Sequence, residues 1–272
     1  MSMTRPPIQK TLNKETYYSI ESDRYYQSTT FFKNFEKCET ATVAQLNDIY
    51  KPDINQKALL VGNYLHSYFE SHTAHENFIK QHESDMFTKR GTLLKDYQIA
   101  DSMIATLADD PMFNNLYQGK KEAIVKGQIE GVNWKGKIDC LNLDRKIFLD
   151  LKTTREIDRK YWNEEKHMWQ SFMDEYNYPL QMYVYQQLIY QQYGVMCTPY
   201  IIAVSKQEIP AKAVISIPKK RLAEAQEEIE TLQPRFEKVK SGFEVPIRCG
   251  KCAYCRKTAT LGEITSMENL IS

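Results

Sequence analysis

The sequence predicts a mixed α/β fold with a central β-sheet flanked by helices. Three observations predict it. Helical periodicity runs over residues 58–76 and again over 95–107. Three β-branched, alternating runs follow one another after Gly119. Two further strand-like runs then lie between two helical segments. With 272 residues, no internal repeat and no long linker, the chain reads as one domain over 1–272, with its core over about 58–217.

Each element has its own local reason. The first fifty residues are polar, Tyr-rich and weakly periodic, but Ser28, Thr29 and Thr30 can cap a short helix through Phe31, Phe32 and Phe35. Pro52 marks a break. Leu60, Val61, Tyr64, Leu65, Tyr68 and Phe69 then cover one broad face of the helix over 58–76. The helix over 95–107 ends at Asp109-Asp110-Pro111. Strands are expected over 122–130, 134–141 and 146–152, with turns at 131–133 and 142–145, which makes an antiparallel meander. The charged, Trp-bearing stretch 158–176 is expected to be helical in part. Pro179 suits the start of a helix and Gly194 its end. Strands over 199–205 and 211–217 precede a long helix that Pro218 opens and Gly242 closes.

Composition excludes several classes. Hydrophobic residues at 42% and charged residues at 26% argue against wholesale disorder. Ten Gly and ten Pro exclude a collagen-like chain. Mean hydropathy is −0.57, and no apolar run approaches the ~18 residues of a membrane span. The first thirty residues lack the apolar stretch of an export signal, so a cytoplasmic protein with no membrane partner is expected. Lys and Arg number 36 against 35 Asp and Glu, a balance that neither demands nor excludes nucleic acid. The 18 Tyr suit base stacking, but core packing explains them as well. Without export, the six Cys are expected as thiols or metal ligands, with Cys140 and Cys197 as small buried hydrophobes.

The chemistry concentrates in one hairpin. Asp150 and Lys152 lie two apart on a strand and share a face, and the turn at 142–145 brings Asp139 beside them. Two adjacent carboxylates repel each other and resist burial, and a divalent cation removes both objections. An Asp-x-Lys triplet alone is common on exposed hairpins. Here the apolar run Ile147, Phe148, Leu149 and Leu151 marks a central strand instead.

Gly136 to Thr154 (GKIDCLNLDRKIFLDLKTT) resembles the core of PD-(D/E)XK nucleases, with Asp139 as first acid and Asp150-Leu151-Lys152 as the D-x-K. Gly62 and His66 resemble the helix motif of the RecE/RecB branch, and Gln181 and Tyr185 its Q-x-x-x-Y helix. The three occur in the family's order across residues 60–185, and the whole chain most resembles phage-type, exodeoxyribonuclease VIII-like RecE exonucleases. The resemblance implies a restriction-endonuclease-like core. It implies Mg²⁺ or Mn²⁺ held by His66, Asp139, Asp150 and the Leu151 main-chain carbonyl, with Lys152 at the attacking water and Gln181 and Tyr185 in support. Gly62 would let another backbone approach, and Glu122 ranks low as a further acid. Implied substrates are linear double-stranded DNA ends, degraded 5′-to-3′ to leave 3′ overhangs for a RecT-like single-strand annealing recombinase. A homo-oligomer and a phage or prophage origin in a bacterial host follow by the same analogy. Thr153, Arg155, Arg159 and Lys160, near Tyr161, Trp162 and Lys166, are candidate DNA contacts, a solvated charged helix face being the alternative. His72, His75, His82 and His167 fit no motif and read as surface residues. Other readings are a RecB-like nuclease of CRISPR adaptation or DNA repair, and a non-catalytic nuclease-fold module.

Cys249, Cys252 and Cys255 supply three thiols within seven residues, and Cys38 is the candidate fourth. The set resembles RecB-like and CRISPR-associated nucleases in which one N-terminal and three C-terminal cysteines hold a [4Fe–4S] cluster, although the final C-x₂-C spacing is shorter than theirs. Zn²⁺ in a Cys₄ site and free thiols stay open beside the cluster. Either metal would join the N-terminal region 1–50 to the C-terminal region 243–272. The 257–272 tail has no assignable role.

Overall fold

The computed structural model describes residues 11–53, 55–164, 166–262, 264 and 266–270; both ends of the 1–272 range lie outside the described residues. In chain order come α1 (Ile20–Tyr25), α2 (Thr29–Lys37), α3 (Glu39–Leu46), α4 (Gln56–Glu70), α5 (His72–Gln81), α6 (Glu83–Met86), α7 (Lys95–Ala108) and α8 (Pro111–Leu116). Next are β1 (Lys120–Ile129), β2 (Val132–Asn142), β3 (Ile147–Thr154), β4 (Tyr161–Asn163), β5 (Met168–Gln170), α9 (Phe172–Glu175) and α10 (Tyr178–Tyr193). The chain continues through β6 (Thr198–Ser205), β7 (Lys212–Ser216), α11 (Lys219–Lys240) and α12 (Ala253–Lys257).

A mixed sheet in the order β1-β2-β3-β6-β7 forms the centre. The meander β1-β2-β3 is antiparallel as expected, while β3 and β6 run parallel. Parallel neighbours need a crossover, and α10 supplies it. Leu180, Met182, Val184 and Leu188 of α10 pack in one core with Ala123, Val125, Ile138, Phe148 and Ile201. Val61 and Leu65 of α4 and Ala100, Met103 and Ile104 of α7 share a second core with Leu149, Leu151, Ile202 and Val204. The period-two alternation of β3 and β6 separates these sets, so the sheet lies between two helical layers. Among the described residues no helix is long and apolar enough to cross a membrane.

Local signals act where they were read. Ser28 Oγ accepts from the Phe31 amide at 3.3 Å and starts α2. Gly194, at φ +70°, closes α10. Cys140 and Cys197 are buried.

Two expectations are corrected and a third is filled in. The helix expected over 58–76 ends at Glu70, because Ser71 is extended and its hydroxyl accepts from the Ala74 amide, starting α5. The 158–176 stretch is helical in part, as expected, through α9, and carries besides it the β4–β5 hairpin, with Trp162 opposite Trp169 and a turn in which Asn163 Oδ1 accepts from the Lys166 amide. His75 is half-buried rather than free on the surface: its ring meets Tyr64 and Tyr68 edge-on, and Nδ1 is 2.9 Å from Ser67 Oγ.

Candidate active site

The site lies where the sheet forks. β2 and β3 pair from Asn142–Ile147 to Cys140–Leu149 and no further. Asp139 and Asp150 are the next residues on each strand. Beyond them β2 stays with β1, and β3 with β6. Backbone groups exposed at such a fork need partners. The Leu151 amide finds one in Asp139 Oδ2, at 2.6 Å.

An irregularity on the other side of Asp139 brings in a third acid. Pairing between β1 and β2 skips Glu122 and Asp139, between Lys121–Cys140 and Ala123–Ile138. Glu122 sits at φ +50°, a left-handed conformation costing a non-glycine residue about 1–2 kcal/mol. Ile138 belongs to the core under α10, whereas Cys140, two residues on, belongs to the opposite core. Period-two alternation therefore fails at Asp139. His66 of α4 completes the group: Nδ1 is 3.4 Å from Asp139 Oδ1, and donor atoms of His66, Glu122 and Asp139 lie within 4.8 Å of one another. Glu122 also forms an ion pair with Lys137.

Asp150 stands beside this group. It is only 2% exposed. Its Oδ1 accepts from Gln181 Nε2 at 3.0 Å, and the same nitrogen donates to Tyr185 OH at 3.0 Å. Its Oδ2 lies 2.5 Å from Lys152 Nζ as an ion pair but accepts no hydrogen bond of good geometry. Lys152 Nζ sits 4.9 Å from the centre of the Tyr178 ring.

Burial pushes the Asp150 carboxyl up; Lys152 pulls it down and Asp139 pushes it up, and the balance is about 6. Burial also pushes Glu122 up, with Asp139 adding to the shift. Burial raises Asp139 too, but His66, Lys152 and the Leu151 amide outweigh it and hold Asp139 below its ordinary value. Burial pulls His66 down, yet the charge and hydrogen bond of Asp139 leave it above its ordinary value. Burial pulls Lys152 down as well, but the charge of Asp150 holds it well above the usual ammonium range.

The donor set fits a divalent cation. Two carboxylates and an imidazole converge, one oxygen of the neighbouring buried Asp150 lacks a hydrogen bond, and burial disfavours the ionised forms of Glu122 and Asp150 until positive charge arrives.

The other expected residues divide. Thr153 shares the alternate face of β3 with Leu149 and Leu151, away from Lys152. Arg155 is exposed just past β3. The guanidinium of Arg159 lies 5.3 Å from the Tyr161 ring centre, and Arg159 and Lys160 line an open cavity of about 690 Å³ beside the hairpin. A Cβ on Gly62 would meet nothing within 4 Å, so the expected close backbone approach does not occur there. Lys137 and Tyr178 were not singled out from the sequence. Period two from Asp139 would have reached Lys137; no local pattern marks Tyr178.

The four cysteines also converge. Cys38 Sγ is 3.5 Å from Cys255 Sγ, Cys249 Sγ is 3.9 Å from Cys255 Sγ, and all four sulfurs lie within 4.8 Å of one another. The amides of Ala41, Cys252 and Cys255 point at the sulfurs of Cys38, Cys249 and Cys252 at 3.5, 3.3 and 3.3 Å.

A forked mixed sheet with Asp139, Asp150 and Lys152 at the fork and Gln181 behind them defines a nuclease of the PD-(D/E)XK class. Residues 28–258 match the family model described as a PDDEXK-like domain of unknown function (DUF3799), and the chain belongs to that family. It is 30% identical, at a TM-score of 0.88, to a crystal structure named "Putative exonuclease" from Eubacterium rectale, over 96% of this chain and 98% of that one. A phage-related exonuclease from Haemophilus somnus is 13% identical over 73% of this chain and 100% of its own, at a TM-score of 0.34. The comparison with curated proteins gave no match.

Proposed function

We propose that the protein is a divalent-metal-dependent exonuclease that hydrolyses phosphodiester bonds at the ends of linear double-stranded DNA. The observation that carries this reading is the convergence of His66, Glu122 and Asp139 beside the Asp150–Lys152 pair. Action at ends is supported by the 30% identical relative named as an exonuclease. The 5′-to-3′ polarity, the 3′ overhang, the annealing partner, the oligomer and a phage setting follow from the RecE resemblance.

Mg²⁺ or Mn²⁺ held by His66, Asp139, Asp150 and the Leu151 carbonyl, with Glu122 alongside, would supply Lewis acidity toward the phosphate and an acidified water. The imidazole in the set favours Mn²⁺. Lys152 keeps its proton because Asp150 holds it there. An ammonium cannot act as base. Lys152 instead donates to a phosphate oxygen and offsets the negative charge that grows as water adds to phosphorus. Gln181 fixes Asp150 through Oδ1 and leaves Oδ2 turned to the reacting groups; Tyr185 anchors Gln181. Arg155, Arg159 and Lys160 contact the DNA backbone, and Thr153 is the weakest member of that set because it faces away from Lys152.

End-labelled linear duplex and closed circular DNA, each with Mg²⁺ or Mn²⁺, test the reading. Linear DNA is degraded from its ends and circles survive. Asp150→Asn lowers the rate by about 10³-fold or more while circular dichroism stays unchanged. Cleavage of circles rejects end specificity, and full activity in D150N rejects the site.

For the cysteines we propose Zn²⁺. A tetrahedral ion with Zn–S near 2.3 Å separates its sulfurs by about 3.8 Å. The separations of 3.5 and 3.9 Å match that spacing. A [4Fe–4S] cluster spreads its thiolates over four iron atoms and needs a wider set.

A further inference from the structure

The β4–β5 hairpin carries a surface that the hydrolytic residues do not use. Trp162 and Trp169 are cross-strand partners with ring centroids 5.4 Å apart, yet they are 42% and 60% exposed. Leaving two indoles in water forgoes a large burial free energy, so such a pair marks a contact surface. The cavity of about 690 Å³ beside it is lined by Trp169, Arg159, Lys160, Lys166 and Arg221, together with Asp158 and Asp174. Asp174 and Glu224 engage Arg221. Arg159, Lys160 and Lys166 form no ion pair among the described residues.

Rings continue from the hairpin to the site. Tyr161 and Tyr176 have centroids 6.0 Å apart, and Tyr176 and Tyr178 5.8 Å. Lys152 Nζ lies 4.9 Å and Lys33 Nζ 5.9 Å from the Tyr178 centroid. A row of tyrosine rings with cations along it thus leads from Lys152 to Tyr161, the hairpin residue next to Trp162.

We propose that the hairpin and this tyrosine row bind a single strand of DNA, with unpaired bases stacked on Trp162, Trp169 and Tyr176 and phosphates held by Arg159, Lys160 and Lys166. The inference rests on the nuclease reading and names the form of the DNA beside that site. A duplex keeps its base faces against one another and offers none to an indole; a single strand offers every base face. The cations select a polyanion over an apolar protein partner, and the row's continuity with Lys152 gives the strand a reason to lie there.

Trp134 is buried, so quenching of intrinsic fluorescence reports the two exposed indoles. The probe is an oligothymidylate of about 12 nucleotides, titrated into the wild-type protein without added divalent metal. Saturable quenching is expected, with a blunt duplex of equal length binding more weakly. Trp169→Ala weakens oligonucleotide binding about tenfold. Because that change removes a cross-strand pair, a second variant keeps both indoles: R159Q/K160Q/K166Q lowers affinity and reduces the slope of log affinity against log salt by about 2. Hydrolysis of bis(p-nitrophenyl) phosphate, which has no bases, stays at the wild-type rate in W169A. Absent quenching with unchanged affinity in both variants overturns the strand surface even where DNA is cleaved. Saturable quenching in a protein that cleaves neither DNA nor the small ester sustains the surface and overturns only the nuclease reading.

Discussion

Asp150 is buried with one oxygen fixed by Gln181 and the other facing Lys152 alone. Burial and Asp139, opposed by Lys152, put its carboxyl at about 6, and Asp139 holds His66 above its ordinary value. A pH dependence follows, with a definite sign. The folded, metal-free chain binds a proton at Asp150 more tightly than the unfolded chain does. Between about pH 4 and 6 this group therefore makes the metal-free fold less stable as pH rises. A cation reverses that trend, because it needs the carboxylate ionised and the imidazole neutral. Apparent affinity for Mn²⁺ should fall as pH drops through about 6, by roughly tenfold per unit for each proton displaced. Calorimetry in buffers of different ionisation enthalpy should register proton release on binding. An affinity unchanged between about pH 5 and 7 would remove Asp150 from the ligand set.

Helix α10 brings Gln181 and Tyr185 to the fork, and it fits because β2 has a glycine beneath it. A Cβ on Gly136 would lie 2.8 Å from two ring carbons of Tyr185 and 3.2 Å from Val125 Cγ2. The buried ring has no room to retreat, so Gly136→Ala should cost about 1–3 kcal/mol in urea denaturation and lower kcat through Gln181. Unchanged stability would mean that helix and strand separate freely. The sequence already marked α10 at both ends, through Pro179 and Gly194, and the three meander strands through alternation. It did not mark what depends on one dihedral or on a distant partner. Glu122 reads as an ordinary strand residue, and only its left-handed backbone and the lapse in pairing turn it toward His66. Ser71 interrupts a continuous helical pattern by capping α5. The hairpin over 161–170 was hidden by its charge, which a solvated helix explains equally well until Trp162 is seen opposite Trp169.

The two ends of the described chain meet in contacts unrelated to hydrolysis. Arg235 of α11 holds Glu39 of α3 through two nitrogens, and Glu39 also accepts from the Ile247 amide. The cysteine set adds a junction between Cys38, at the start of α3, and the segment entering α12. Backbone amides lower Cys249 to about 6 against burial; burial raises Cys255, but an amide and neighbouring thiols outweigh it and leave it below its ordinary value. Burial raises Cys38 and Cys252, and a cation bound among the four sulfurs would favour their thiolates. An ion there ties residues more than two hundred apart in sequence, and its loss frees both ends of the chain without touching Asp150 or Lys152. Purified protein should be colourless and carry one zinc. Cys249→Ser/Cys252→Ser should remove the zinc and lower the melting temperature by on the order of 10 °C. Cleavage per folded molecule, measured well below that temperature with Mn²⁺ supplied, should stay near wild type. A brown protein with four irons would replace zinc by a cluster. A variant that melts as wild type does would mean that the hydrogen bonds of Glu39 hold the ends together without help from the thiols.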